Sequence, residues 1–181
     1  MLRQKPLVNQ LLSILFLGSI LVLGACGDDD PEGPSLDGDY KFVSAKLRKD
    51  ITVGGVTITA GTDISTEISE GLFGAVTCSN PDNTAIRLEA GGTLYFLCLT
   101  ETAITPVQSG TWTGTNSNTN LVLALSSPPF PSPISATVKG LVINGAELSG
   151  YIENLPIPGS TFGDPGTAFV LTDFDIVFEK Q

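Results

Sequence analysis

The stretch ISATVKGLVINGAELSGYIEN, residues 134–154, decides the fold. Ile134, Ala136, Val138, Gly140 and Val142 fall on one side of an extended chain, with Ser135, Thr137 and Lys139 on the other. A period of two belongs to a strand with one face buried and one face wet. Asn144-Gly145 then separates two such runs. A two-residue hairpin turn needs φ > 0 at its central positions, which makes Asn-Gly its strongest short-range signal. Working outward, Phe174, Ile176 and Phe178 alternate with Asp173, Asp175, Val177 and Glu179; Ile86 and Leu88 alternate with Arg87 and Glu89; Leu121, Leu123 and Leu125 mark a more apolar strand. Eight or nine strands follow, over about 40–48, 51–59, 84–89, 93–99, 109–114, 120–126, 134–142, 146–154 and 168–179. In the last of them Asp173 and Asp175 share a face and are expected to point to water. One helical segment interrupts the strands, since Ile64, Ile68, Leu72 and Phe73 recur at helical spacing within residues 63–75. Asp63 or Ser65 is available as its N-cap, and Gly71 and Gly74 limit it to one or two turns.

If consecutive strands run antiparallel, the short turns at 90–92, 115–119 and 144–145 lie at one end, and the longer connections 100–108, 127–133 and 155–167 lie at the other. The long connections carry Ile104, Pro128, Phe130, Ile157 and Phe162, apolar side chains that a solvated loop does not need. They read either as the mouth of a barrel or interaction surface, or as residues that tuck back to cap the core. Trp112 reads as a core aromatic, with stacking on a ligand as the competing role. The proline-rich run 128–133 reads as a rigid loop that blocks edge pairing or as a stiff segment offered to a partner.

At the N-terminus, Arg3 and Lys5 precede a 15-residue apolar or small run, Leu11 to Ala25. A spanning helix needs about 20 apolar residues, so residues 1–25 read as a cleaved signal peptide. Leu23-Gly24-Ala25-Cys26 resembles the lipobox of bacterial lipoproteins, in which cleavage falls before the cysteine and that cysteine is lipidated. The resemblance implies acylation of Cys26 and membrane attachment through the acyl chains, each buried methylene contributing about 0.8 kcal/mol. Residues 26–35 carry Asp28, Asp29, Asp30 and Glu32 and nothing large and apolar to bury before Leu36, and so read as a flexible acidic tether. The acidic run also resembles the export signal of surface lipoproteins of Bacteroidetes-type bacteria; a plain spacer accounts for the same residues. The expected location is the outer membrane, lipid-anchored, with the cell surface or the periplasm left open.

Two of the nine basic residues, Arg3 and Lys5, fall in that leader, so seven remain against 19 acidic ones, a net of −12. Phosphates would be repelled, which disfavours a nucleic-acid partner. With Cys26 acylated, two cysteines remain in an oxidising compartment and permit one bridge, Cys78 to Cys98, giving about 3 kcal/mol in the chain-entropy account. Two cysteines and no histidine make a poor metal site. The absence of histidine also removes the usual general base and the Ser-His and Cys-His nucleophile systems. The chain is therefore read as a non-enzyme without cofactor or metal.

Gly38-Asp39-Tyr40-Lys41-Phe42-Val43-Ser44 resembles the opening strand of the lipocalin-like domains of Bacteroidetes lipoproteins, in which a glycine, any residue and an aromatic begin the first strand. Cys78 with its polar loop to Asn83, an apolar strand, a glycine turn, Cys98 and then Gly110-Thr111-Trp112 is similar to their middle. The resemblance covers most of residues 36–181 and implies an all-β, antiparallel, up-and-down barrel of about eight strands with one short helix. Tyr40 stands where lipocalins place tryptophan, and the connections at 127–133 and 155–167 are longer and richer in proline than that pattern. An eight-stranded barrel holds packed side chains or one small ligand. Two functions remain open for a monomer of this kind. One is a module binding a small apolar or amphipathic molecule or a glycan, with Ile104, Trp112, Phe130, Ile157 and Phe162 as candidate contacts. The other is an envelope structural or protein-interaction module with a filled core.

Overall fold

The computed structural model describes residues 36–114, 120–126 and 132–181. The signal peptide, Cys26, the tether and Phe130 lie outside the described residues. The chain forms ten strands: β1 (Gly38–Leu47), β2 (Ile51–Val53), β3 (Val56–Ile58), β4 (Thr84–Leu88), β5 (Thr93–Cys98), β6 (Val107–Thr113), β7 (Asn120–Leu125), β8 (Ile134–Asn144), β9 (Glu147–Pro158) and β10 (Phe169–Lys180). Eight of them close into an antiparallel barrel in the order β1-β10-β9-β8-β7-β6-β5-β4. The ring shuts where β1 pairs with β4 as well as with β10. A two-turn helix, α1 (Ser65–Leu72), lies between β3 and β4. The expected strand over 51–59 is instead the β2–β3 hairpin outside the barrel, because Gly54 and Gly55, both at positive φ, fold it in the middle.

The expected parity holds. β4, β6 and β8 finish at the end that holds Gly38 and Lys180. β5, β7 and β9 finish at the other, where the β2–β3 hairpin and α1 also lie. The alternation of β10 also holds, with Phe174, Ile176 and Phe178 at 1% exposure or less. Deep in the barrel, the Phe73 ring just beyond α1 lies 5.3 Å from Phe42, 5.1 Å from Phe96 and 6.4 Å from Phe178. Ile64, Ile68 and Leu72 seat α1 over the same end. Neither expected residue is the N-cap of α1: Ile64 takes that position without a side-chain cap bond, while the Asp63 carboxylate accepts the Ser65 amide at 2.9 Å and the Ser65 hydroxyl at 2.5 Å, and Ser65 Oγ accepts the Ala45 amide at 2.9 Å, tying the start of α1 to β1.

Bulges depart from strict alternation. Between β8 and β9 the register slips from Lys139↔Tyr151 to Val142↔Ser149, and Gly140 takes φ +58, the left-handed geometry glycine allows without steric cost. Val142, expected inward, consequently faces out at 56% exposure. In β6 the register shifts beside Gly110, where an added Cβ would lie 1.7 Å from the Ala124 carbonyl oxygen. The glycine of the Gly-x-Trp motif is therefore fixed by close backbone approach. β9 runs to Pro158, four residues beyond its expected end, which makes Ile157 a strand residue rather than a loop residue. Its pairing with β8 begins only at Tyr151, so above that point β9 needs no amide donors toward β8, and Pro156 and Pro158 are accommodated.

Candidate functional site

The ladder between β1 and β4 is short, running from Gly38↔Leu88 to Lys41↔Ala85. Asp39 and Arg87, directly opposite across it, form a two-pronged ion pair at 2.6 and 2.8 Å. Beyond Lys41 the strands part. β1 bulges at Val43, between Phe42↔Phe178 and Ser44↔Val177, and stays with β10. Bulges bend and coil the strand that carries them, and here the wall opens on the β4 side. α1 and the segment from Gly74 to Asp82 cover the gap and leave a cleft of about 540 Å³. That volume lies within the ordinary range of small-molecule sites, about 300–1,000 Å³.

Phe42, Val43 and Val76 give the cleft its apolar surface. Phe42 is turned inward and held by Phe73 and by Phe178, whose ring centroid is 6.0 Å away. Hydroxyls come from both sides: Ser69 of α1 and Thr84 of β4 lie 3.3 Å apart, and the Thr84 hydroxyl also donates to Cys78 Sγ at 3.8 Å. Glu70 of α1 and Asp82 of the short helical turn Pro81–Asn83 bring carboxylates to the lining.

Two ties hold the 78–83 side of the cleft in place. One is the Cys78–Cys98 disulfide, with Cα atoms 5.4 Å apart, as expected from the cysteine count. The other is Glu101, whose carboxylate accepts the Ser79 amide at 2.9 Å, the Asn80 amide at 3.3 Å and the Asn83 side-chain amide at 3.2 Å. These donors, the Ser79 amide foremost, hold the Glu101 carboxyl down to about 2. Glu101 also lies near both sulfurs. The sulfurs are consumed by the disulfide, so the trio does not make a metal site.

The candidate ligand contacts fall elsewhere, and none of the four that are described, Ile104, Trp112, Ile157 and Phe162, lines the cleft. Ile157 is fully buried, and Ile104 and Phe162 are half-buried against the core. Trp112 is 9% exposed at the opposite end of the barrel, where its indole N–H donates to the Glu89 carbonyl at 2.8 Å. The cleft itself gave no signal in the sequence, because it arises from where two strands separate.

The Asp173 expectation is corrected. Asp175 is exposed, but Asp173 is 5% exposed, because the chain leaving β1 folds back across the outer wall. The Arg48 amide donates to the Asp173 carbonyl, Lys49 Nζ lies 2.5 Å from Asp173 Oδ2, and the Asn154 amide donates to Oδ1 at 2.7 Å. Burial alone would raise the Asp173 carboxyl; Lys49 and the Asn154 amide outweigh it and hold it below its usual range. Arg48 lies 3.4 Å from Asp175 and stacks 3.8 Å above the Tyr151 ring, and Lys139 pairs with Glu153 at 2.6 Å. These carboxylates serve as partners in a strap of ion pairs across β8, β9 and β10.

No protein-family model, no curated protein and no solved structure matches this chain.

Proposed function

We propose that this chain is a lipid-anchored envelope protein whose lipocalin-like barrel binds a small amphipathic molecule in the cleft between α1, β1 and β4. The observation that carries this reading is the contrast between two spaces. The barrel axis is filled by the rings of Phe42, Phe73, Phe96 and Phe178, whereas the seam keeps about 540 Å³ with apolar and polar groups side by side. A ligand therefore enters beside the helix rather than along the axis. Acylation at Cys26 would keep this site at a membrane.

Native mass spectrometry of the full chain tests both halves. The expected result is an added mass at the N-terminal cysteine and a co-purifying small molecule that is lost in Ser69→Trp, a substitution that fills the cleft. A bound molecule that survives Ser69→Trp overturns the siting, and a mature chain that carries no added mass at Cys26 overturns the anchor.

A second reading, an envelope protein-interaction module, draws on the outer face of β10. Phe169 and Leu171 are 42% and 64% exposed there, opposite Pro158 and Pro156 of β9. It predicts a protein partner lost on Leu171→Asp with the cleft unaffected.

A further inference from the structure

The cleft carries a charge pattern that selects among ligands. Resting on the reading of that cleft as the binding site, we infer that its occupant is a small organic cation with an apolar body, of the alkyl- or arylammonium class.

Three observations converge. The first is charge: Glu70 and Asp82 line the cleft, and no lysine or arginine does. Among the described residues neither carboxylate has an ion-pair or hydrogen-bond partner on its side chain, unlike Asp39, Asp173 and Glu153, which are matched by Arg87, Lys49 and Lys139. A carboxylate, sulfate or phosphate ligand would enter a site with two like charges and no counter-charge, whereas an ammonium would supply the charge that is missing. The second is the apolar part of the lining, Phe42, Val43 and Val76. Apolar surface in the same cleft as carboxylates suits an alkylated ammonium, whose charge meets the carboxylates while its methyl groups and body bury apolar surface.

The third observation separates this class from sugars. Several hydroxyls of the lining are already engaged within the protein: Ser65 with Asp63 and the Ala45 amide, Ser69 with Thr84, and Thr84 with Cys78. No asparagine, glutamine, tryptophan or tyrosine lines the cleft to offer paired hydrogen bonds or an open stacking face. A polyol would find acceptors in Glu70 and Asp82, but no side-chain amide or open aromatic face to order it.

The test is isothermal titration of the full chain in a non-ionic detergent with three water-soluble probes of similar size: benzyltrimethylammonium, benzyl alcohol and phenylacetate, each corrected against empty micelles. The ammonium is expected to bind at least tenfold more tightly than the carboxylate, with the alcohol between them and the gap narrowing as salt rises. In the double variant Glu70→Gln, Asp82→Asn, both positions being exposed, the preference should fall below about twofold while the alcohol binds as before. A carboxylate that binds as well as the ammonium, or a preference that survives the double variant, overturns the cation assignment. If the alcohol or carboxylate binds without such a preference and is displaced by Ser69→Trp, the cleft reading stands and the charge inference alone is lost. Silence from all three probes overturns both.

Discussion

Replacing Phe73 with alanine separates a filled barrel from an open one. The Phe73 side chain is 2% exposed and meets three other rings at centroid distances of 5.1 to 6.4 Å. Truncating a buried phenylalanine costs about 3–5 kcal/mol, as lost transfer energy plus the cavity left behind. The ring-edge contacts, at about 0.5–1.5 kcal/mol per pair, put this site at the upper part of that span. A domain of this size has about 5–15 kcal/mol in total, so the variant remains measurable but loses much of its margin. With a urea m-value of about 2 kcal/mol per molar, the midpoint should fall by about 2 M with an unchanged slope. Because α1 still covers the void, benzene should enter it and restore part of the loss, as apolar cavities stay dry and accept apolar guests. Urea titrations of both proteins, with and without benzene, read this directly. A loss below about 1 kcal/mol would refute the reasoning, since it would mean that the ring does not sit in close-packed surroundings and that the axis has room for a ligand.

Four further outcomes are expected. Gly110→Ala should destabilise by about 3 kcal/mol or fail to fold, because its Cβ would collide with the rigid Ala124 carbonyl. Gly91→Ala, with open space around it, should stay within about 0.5 kcal/mol in the same denaturation assay. Reducing Cys78–Cys98 should cost about 3 kcal/mol and raise amide exchange over residues 78–83 first, because that segment then keeps only hydrogen bonds, chiefly those to Glu101. Glu101 itself predicts an acid dependence. Its folded value of about 2 lies below the ordinary 4.5, so its contribution is complete above about pH 4.5 and is lost as pH falls toward 2. Thermal midpoints across that window should fall less steeply for Glu101→Gln than for the parent chain; equal slopes would show that other carboxylates set the acid limb.

Much of the barrel is legible in the sequence because two-residue periodicity is a local signal. Phe174, Ile176 and Phe178 show their orientation from spacing alone, and Asn144-Gly145 marks the hairpin to within one residue: the turn itself is Gly145 and Ala146, with Gly145 at φ +62 and Asn144 still paired to Glu147. The departures are set by the neighbouring chain. Val142 faces outward because of a bulge beside it at Gly140, and nothing in the alternation marks that slip. Asp173 occupies an outward position as its spacing requires, yet it is covered by Arg48 and Lys49, more than 120 residues earlier in the chain. Ile104, Ile157 and Phe162 are apolar for the ordinary reason that they are buried or packed against the core. The cleft depends on the distance between β1 and β4 once their four-residue ladder ends, a quantity that no single segment encodes.

Because β1 begins and β10 finishes beside the short turns, the chain enters and leaves the barrel at the same pole, with the cleft-bearing cap at the far one. A fluorescent or affinity fusion placed after Gln181 therefore hangs at the pole where β1 begins and leaves the helix-covered pole unobstructed. The β2–β3 hairpin, whose tip at Gly55 meets nothing within 4 Å, is the place to graft a reporter near that pole.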